Sequence, residues 1–465
     1  MRLVLSAVLL HGFGPPYTLP VSLALYLYGA GAAVLVSFVA VAILAADRVG
    51  SRAVAYSRRP LPFLVPIANS PWPRRAGGAL GFLGLVTIIV TGLLGAADPN
   101  RNPSEYVTWI LFWVATLVGS GLVGNLYHLL NPFAAIYDAA AAFVRVRPRW
   151  RLPGTGAWPA VAMLFAFSCL ELTSGMANRP YVVGGAALVY TVVTLAGMLL
   201  FGRDEWLGRC EVFSVLFAII GQFGPLETEH DAAGRVSAVY LRPWGVGLLN
   251  TTAIGWDRTM FVVLMLSTLT FDALIATPTW QDFTIVLEPV WLPLGAFGYF
   301  LVRTAGMVLV TICFLLVLVT FIDLVMYFGV RRVDRAATLS TFAFTLVPIV
   351  LAYDAAHNYY YLTVQAQRLI PLLDDPLAKG WHLWPAVTSF TPNLALAQPA
   401  IVWYAQVVLI VLGAVVTVYL SYLRAGERFR RAQRVLISQY PMLLLIVVFT
   451  MASLWILAQP VTRQA

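Results

Sequence analysis

Long apolar runs separated by short polar segments dominate the hydrophobic pattern of this chain. A helix that crosses a bilayer needs about 20 mostly apolar residues, because the hydrocarbon core is about 30 Å thick. Ten stretches meet this requirement, approximately residues 20–46, 77–97, 106–130, 157–175, 181–201, 260–277, 304–328, 340–363, 401–423 and 436–458. The pattern therefore predicts an all-α fold, a polytopic membrane helix bundle with about 10 transmembrane helices.

The composition agrees with this prediction and excludes an ordinary soluble protein. Of the 465 residues, 60% are apolar and 11% are charged, whereas charged residues make up about 25% of a typical soluble chain. The net charge is +9, but the arginines lie in short loops without the interleaved aromatic residues of nucleic-acid-binding surfaces. We therefore expect the lipid bilayer as a partner and no nucleic acid.

Clusters of arginine after the odd-numbered stretches predict the orientation of the chain. They follow the first, third, seventh and ninth stretches: Arg48, Arg52, Arg58, Arg59, Arg74 and Arg75; Arg145, Arg147, Arg149 and Arg151; Arg331, Arg332 and Arg335; Arg424, Arg428, Arg430, Arg431 and Arg434. Basic loops next to membrane spans stay in the cytoplasm. Both the N-terminus and the C-terminus are therefore expected outside.

The segments between the stretches define the expected organisation. Residues 203–259 carry arginines and a short apolar run, which predicts a cytoplasmic-side segment with one interfacial or re-entrant helix near 205–224. An eleventh span there is the alternative, and it would move the later basic clusters outside. The chain is otherwise expected to form a single integral membrane domain, 1–465, with an outer loop over 364–400. A short N-terminal lead-in covers 1–19, and the sequence leaves open whether it is cleaved before His11.

The eighth stretch contains a carboxylate, an imidazole and an amide: Asp354, His357 and Asn358. Their i, i+3, i+4 spacing places all three on one face of a helix. Ionisable groups inside a membrane are costly and mark functional sites, so this face is the main candidate. Glu171 and Asp272 lie at a similar depth on two other stretches that run in the same direction, about 18 to 21 Å from the cytoplasmic side.

Three hypotheses account for this polar cluster. Glu171, Asp272, Asp354 and His357 would ligate a divalent metal ion of unknown identity or act as catalytic acid and base, with Asn358 orienting them. Without a metal, neighbouring carboxylates would hold a proton and form a proton relay. The third hypothesis is that each group is satisfied by a neighbour and only fixes helix packing.

Other polar residues have a simpler interpretation. Asn125 and His128 precede Asn131-Pro132, which ends a helix, so we expect them to cap and pack. Asp323 lies close in sequence to Arg331 and Arg332 and is expected to pair with one of them. The sequence lacks the glycine-rich, metal-binding and nucleophile motifs of nucleotide-binding proteins, zincins and serine hydrolases.

Several segments resemble the bacterial integral membrane proteins known as fenitrothion hydrolases. The similar segments include Gly124-Asn-Leu-Tyr-His-Leu-Leu-Asn-Pro132, Leu170-Glu-Leu172, Thr270-Phe-Asp-Ala-Leu274, Ile370-Pro-Leu-Leu-Asp-Asp-Pro376 and Ser438-Gln-Tyr-Pro-Met442. They are spread over most of the chain, and they include Glu171 and Asp272. The resemblance also supports His357 as part of a family-like motif.

What the resemblance implies is a multi-pass protein of the bacterial inner membrane that hydrolyses an organophosphate triester with metal assistance. A small apolar substrate would then reach a polar site in the outer third of the bilayer. The chain departs from the family pattern at Asp354, where members have histidine, and at Ser421-Tyr422, where they have a His-Asp pair. The alternative function is a non-enzymatic membrane subunit, with or without a partner subunit, or a cation or solute permease that uses the same cluster.

Overall fold

A computed structural model describes residues 22–44, 56–143, 147–250, 255–329, 334–429 and 431–462. The predicted lead-in and His11 lie outside the described residues, as do Arg48, Arg145 and Arg331. In the described part, nine helices are long and apolar enough to cross a membrane: Leu23–Ile43, Pro71–Leu94, Pro103–Val123, Pro180–Phe201, Trp256–Ile275, Glu288–Phe328, Arg335–His357, Pro399–Arg428 and Ala432–Gln459. The protein is therefore a multi-pass membrane helix bundle.

The predicted tenth span is a shorter apolar helix, Trp158–Thr173. Its last five residues, Cys169–Thr173, form a π-helical turn. At 1.5 Å per residue, 16 residues extend about 24 Å, which is less than the thickness of the hydrocarbon core. The remaining short helices are Leu64–Asn69, Tyr127–Leu130, Pro132–Ala141, Arg203–Arg209, Val212–Gly221, Pro278–Val286, Tyr359–Thr363 and Leu369–Leu372.

Two of the long helices form the centre of the bundle. Of the most apolar 18 residues of each helix, 78% are buried in Trp256–Ile275 and 89% in Arg335–His357. The corresponding share in Leu23–Ile43 is 22%. A helix that is apolar on all sides suits either surrounding protein or lipid. The two central helices are surrounded by protein, and both carry residues of the predicted polar cluster.

The segment after helix Pro180–Phe201 turns back into the bundle. Helix Val212–Gly221 has eight of its ten residues buried, and it packs against the helices that contain Phe112 and Phe167. A helix lying in the membrane interface would expose one face to lipid or water. Protein therefore encloses most of helix Val212–Gly221, and its predicted position relative to the membrane, interfacial or re-entrant, stays a prediction.

A small antiparallel sheet at one end of the bundle was not predicted. Its strands are β1 (Arg59–Pro60), β2 (Leu226–His230) and β3 (Val236–Leu241), in the order β1-β3-β2. The ion pair between Arg58 and Glu229, 2.5 Å, also joins the first basic loop to the 203–259 segment. Both segments therefore lie at the same end, which we call the sheet end.

The opposite end, called the loop end, carries residues 364–398 and the start of helix Glu288–Phe328. This helix has 41 residues, whereas the sequence predicted a loop until residue 303 and a span from 304. The prediction was wrong there, because Gly295 and Gly298 continue into a helix that is unbroken from Gly295 to Phe328. As a result, Arg303 belongs to the bundle.

Candidate functional site at the loop end of the bundle

The predicted polar face of the eighth stretch is buried inside the helix bundle. Asp354 and His357 belong to the helical segment Val347–His357, and their exposed fractions are 0% and 1%. Asn358 follows at the end of the helix, where its side-chain amide donates to the Asp354 Oδ1 at 3.2 Å and to the Asp354 carbonyl at 3.1 Å. The i, i+4 spacing therefore brings Asp354 and Asn358 into contact within one helix turn.

His357 contacts Asp272 of the neighbouring central helix. The His357 Nε2 lies 3.0 Å from the Asp272 Oδ2, and the Asp272 side chain is 20% exposed. Tyr353, one turn earlier, packs parallel to the imidazole with a ring-centroid distance of 6.3 Å. The imidazole and carboxylate therefore form a buried pair that is reached from one side through the carboxylate.

Glu171 completes the acidic side of this centre. It lies in the π-helical turn Cys169–Thr173, within electrostatic range of both Asp272 and Asp354. The hydroxyl of Thr304 donates to that of Thr173 at 3.0 Å and joins this turn to helix Glu288–Phe328. The widened turn is thus held beside the pair, as is common for π-helical turns at functional sites.

The centre includes charged and phenolic groups that the sequence did not single out. Arg303 has an exposed fraction of 4% and lies within electrostatic range of Asp272. Tyr361 lies within electrostatic range of Asp272, Glu171 and Glu105. Glu105 accepts a hydrogen bond from the Trp109 indole nitrogen at 3.0 Å. We call the set Glu105, Glu171, Asp272, Arg303, Asp354, His357 and Tyr361 the polar centre.

The predicted metal ligands Glu171, Asp272, Asp354 and His357 all belong to the polar centre. Across the described ranges, no three or more His, Cys, Asp or Glu side chains lie close enough together to hold a metal ion. Asp272 and His357 are in contact, and Glu171 and Asp354 lie within electrostatic range of Asp272. A divalent ion at these residues stays a prediction from the sequence.

Asn125 and His128 lie near the sheet end and have the capping role that the sequence predicts. The Asn125 Oδ1 accepts from the main-chain N–H of His128 at 3.1 Å. Asn131 accepts from the main-chain N–H of Ala134 at 2.9 Å and donates to Ser214 at 3.1 Å. These groups border a cleft of about 220 Å³, but their hydrogen bonds serve helix ends and packing.

Asp323 also has a structural partner, although the partner differs from the predicted ones. Its two carboxylate oxygens accept from the Arg335 guanidinium at 2.7 and 2.8 Å. Arg331 and Arg332 lie outside the described residues. The bidentate pair ties the end of one long helix to the start of the next.

The chain was compared with protein-family models, with curated proteins and with solved structures. None of the three comparisons finds a match. The resemblance to fenitrothion hydrolases stays a prediction from the sequence.

Proposed function

We propose that the protein is a proton-coupled permease of the bacterial cell membrane, and that the polar centre takes up and releases the proton. The contact between Asp272 and His357 carries the proposal. A carboxylate in contact with an imidazole orients the ring and can exchange a proton with it. Ionisable groups within a membrane bundle commonly mark proton relays and ion pathways.

The other acids supply places for the proton to move. Asp354 lies within electrostatic range of His357 and Asp272, and Glu171 lies within range of both carboxylates. Carboxylates within electrostatic range of one another favour sharing protons, because their like charges repel. A proton relay from Asp272 to His357, and from there to Asp354 and Glu171, follows from this arrangement.

Irregular helices surround the polar centre, which is typical of transporters. Pro103–Val123 is π-helical from Tyr106 to Ala115, and Cys169–Thr173 is a second π-helical turn. Helix Arg335–His357 is interrupted after Phe344 and ends at His357. Transporters commonly place broken helices at their binding sites, where the interrupted backbone can rearrange.

Proton uptake by reconstituted protein tests the proposal. Purified protein in liposomes that contain a pH-sensitive dye should acidify the interior when an inward proton gradient and a panel of external solutes are applied. We expect H357A and D272N to slow the acidification at least about tenfold, which corresponds to about 1.4 kcal/mol on the rate-limiting barrier. H382A is the control, because the His382 side chain is 73% exposed in the loop. Uptake by H357A at the rate of the unchanged protein would contradict the proposal.

A second candidate is hydrolysis of an organophosphate triester, the activity that the resemblance implies. The same contact favours it, because a carboxylate that orients an imidazole is a common general-base arrangement in hydrolases. Asp272, partly exposed, would lie on the substrate side, and an apolar triester would enter from the lipid.

The release of nitrophenol from an aryl phosphotriester measures this second activity. Turnover that is lost in H357A and D354A but kept in H382A would support hydrolysis. The absence of release by the folded, unchanged protein would remove hydrolysis from consideration, and proton uptake would remain to be judged on its own assay.

A further inference from the structure

Arg303 is a buried cation, and its Nε–H has no hydrogen-bond partner. Its exposed fraction is 4%. No hydrogen bond or ion pair of its guanidinium is seen among the described residues, and the ring centre of Tyr299 lies 5.4 Å from the Arg303 Cζ. A guanidinium carries five N–H donors in a planar fork.

Such an arrangement is costly unless an anion occupies it. Arginine stays protonated in proteins, so burial cannot neutralise it. An uncompensated buried charge destabilises a protein by several kcal/mol. Asp272 is a carboxylate within electrostatic range of Arg303, and its Oδ2 contacts His357 at 3.0 Å. The guanidinium, with an unsatisfied Nε–H, can therefore take a further partner.

We propose that Arg303 binds an oxyanion, a carboxylate or phosphate group of the transported substrate. This inference rests on the proposed proton-coupled transport and gives its substrate class. Guanidinium matches both kinds of oxyanion with two parallel N–H···O bonds. The proposal also assigns Arg303 a position beside the proton site, because Asp272 faces both Arg303 and His357.

The charged groups around Arg303 make anion binding depend on their protonation. The titratable groups of the polar centre are Asp272 on helix Trp256–Ile275, Asp354 and His357 on helix Arg335–His357, Glu171 on helix Trp158–Thr173, Glu105 on helix Pro103–Val123 and Tyr361 on helix Tyr359–Thr363. Ionised carboxylates repel an incoming oxyanion, and protonated ones do not. The oxyanion should therefore bind more tightly as the pH falls.

Anion-dependent thermal stability of the full-length protein in detergent tests the inference. Sulfate, inorganic phosphate and acetate are compared with chloride at equal ionic strength. We expect sulfate or phosphate, or acetate if the site prefers carboxylates, to raise the Tm of the unchanged protein, because a ligand that binds only the folded state stabilises it. R303Q should lose this rise. R303K should keep the charge but bind about tenfold more weakly, since it lacks the fork.

Two controls make the outcome decisive. R179Q removes an exposed guanidinium at the same end of the bundle and should keep the full rise. Sulfate stays doubly charged between pH 6 and pH 8, so tighter sulfate binding at pH 6 reports protons on the protein. The inference is overturned if none of the three anions raises the Tm of the unchanged protein, or if R303Q and R303K respond as it does.

The binding assay uses no proton gradient, so it separates this inference from the proposed function. Anion binding that depends on Arg303, in a protein that moves no protons, would leave the oxyanion site standing and remove proton-coupled transport. Proton uptake that depends on His357, without any anion-specific stabilisation, would remove the oxyanion site and leave the proton relay.

Discussion

Gln406 donates a hydrogen bond from its side-chain amide to the main-chain carbonyl of Ala356, 3.1 Å away on a neighbouring helix. Helix Val347–His357 ends one residue later, so the Ala356 carbonyl is close to the helix end, where carbonyls lack intrahelical partners. Gln406 is buried, with an exposed fraction of 5%. The bond fixes the end of the helix directly before His357.

Replacing Gln406 by leucine should therefore loosen the imidazole as well as the helix end. A buried carbonyl that loses its donor destabilises a protein by about 1–3 kcal/mol. We expect Q406L to lower the Tm and to slow proton uptake, although residue 406 carries no ionisable group. Q433L, at an exposed glutamine, is the matched control. An unchanged Tm and uptake rate in Q406L would show that the bond does not position His357.

The pair of Asp272 and His357 should be energetically coupled. Residues in direct contact commonly show interaction energies of about 0.5–3 kcal/mol in double-mutant cycles. We expect the D272N and H357A variants each to lower the free energy of unfolding, and the double variant to lose less than the two separate losses combined. Denaturant unfolding of the four proteins measures this. Additive losses would mean that the contact at 3.0 Å contributes nothing to stability.

Much of the fold could be predicted, because long apolar runs of about 20 residues have few interpretations other than a membrane span. The i, i+3, i+4 spacing predicted a shared face for Asp354, His357 and Asn358, and the contact of Asp354 with Asn358 lies within that one turn. The predicted depth of Asp272 stays a prediction from the sequence. Which faces turn toward each other is set by packing between helices, so the contact of Asp272 with His357 needed the structure.

Arg303 was missed for a specific reason. The stretch before it contains Pro293, Gly295 and Gly298, residues that are common in loops, and the predicted span began only at residue 304. In the structure the helix begins at Gly295 and runs through Gly298, so Arg303 lies within it and its guanidinium is buried. A single arginine within one turn of a predicted span could have been flagged as an intramembrane charge.

The strands were missed although the sequence contains a signal for them. Residues 236–241 contain two valines and a tyrosine, which favour strands, and the turn before them contains Gly234 with a φ of 75°. A strand-forming run next to a short glycine-containing turn indicates a β-hairpin. The pattern of apolar spans does not reveal these runs, because they are too short and too polar to cross a membrane.

Glu211 should be essential for helix Val212–Gly221. Its carboxylate accepts from the main-chain N–H groups of Phe213 at 3.0 Å and Ser214 at 2.7 Å, and from the Tyr190 hydroxyl at 2.5 Å. A carboxylate at a helix start satisfies N–H groups that otherwise lack partners. We expect E211A to destabilise the protein by about 1–3 kcal/mol. E211Q, which keeps an acceptor oxygen, should lose less, and an E211A protein as stable as E211Q would contradict this role.

The loop end should open in acid through Asp374. Asp374 is buried, with an exposed fraction of 4%, and accepts from the Trp384 main-chain N–H at 2.7 Å, with further contacts to His382 and Thr388. The Trp384 N–H, followed by His382 and Thr388, holds the pKa of this carboxyl below its usual value. A carboxyl in an unfolded chain has a pKa of about 3.9. A lowered pKa in the folded state means that the stabilisation is complete above this value and is lost as the pH falls through the lower, folded-state pKa.

Limited proteolysis of residues 364–398 across a pH series measures this opening. We expect the loop to resist an acid-tolerant protease at pH 6 and to become increasingly susceptible as the pH falls below about 4 and through the lower pKa of the folded state. D374N removes the charge, so it should be cleaved already at pH 6. D282N, at an exposed aspartate of the same end of the bundle, is the control and should follow the unchanged protein. Because Asp374 binds both Trp384 and Thr388, its protonation should release residues 364–398 as a unit. If D374N is cleaved no faster than the unchanged protein at pH 6, other contacts hold this segment.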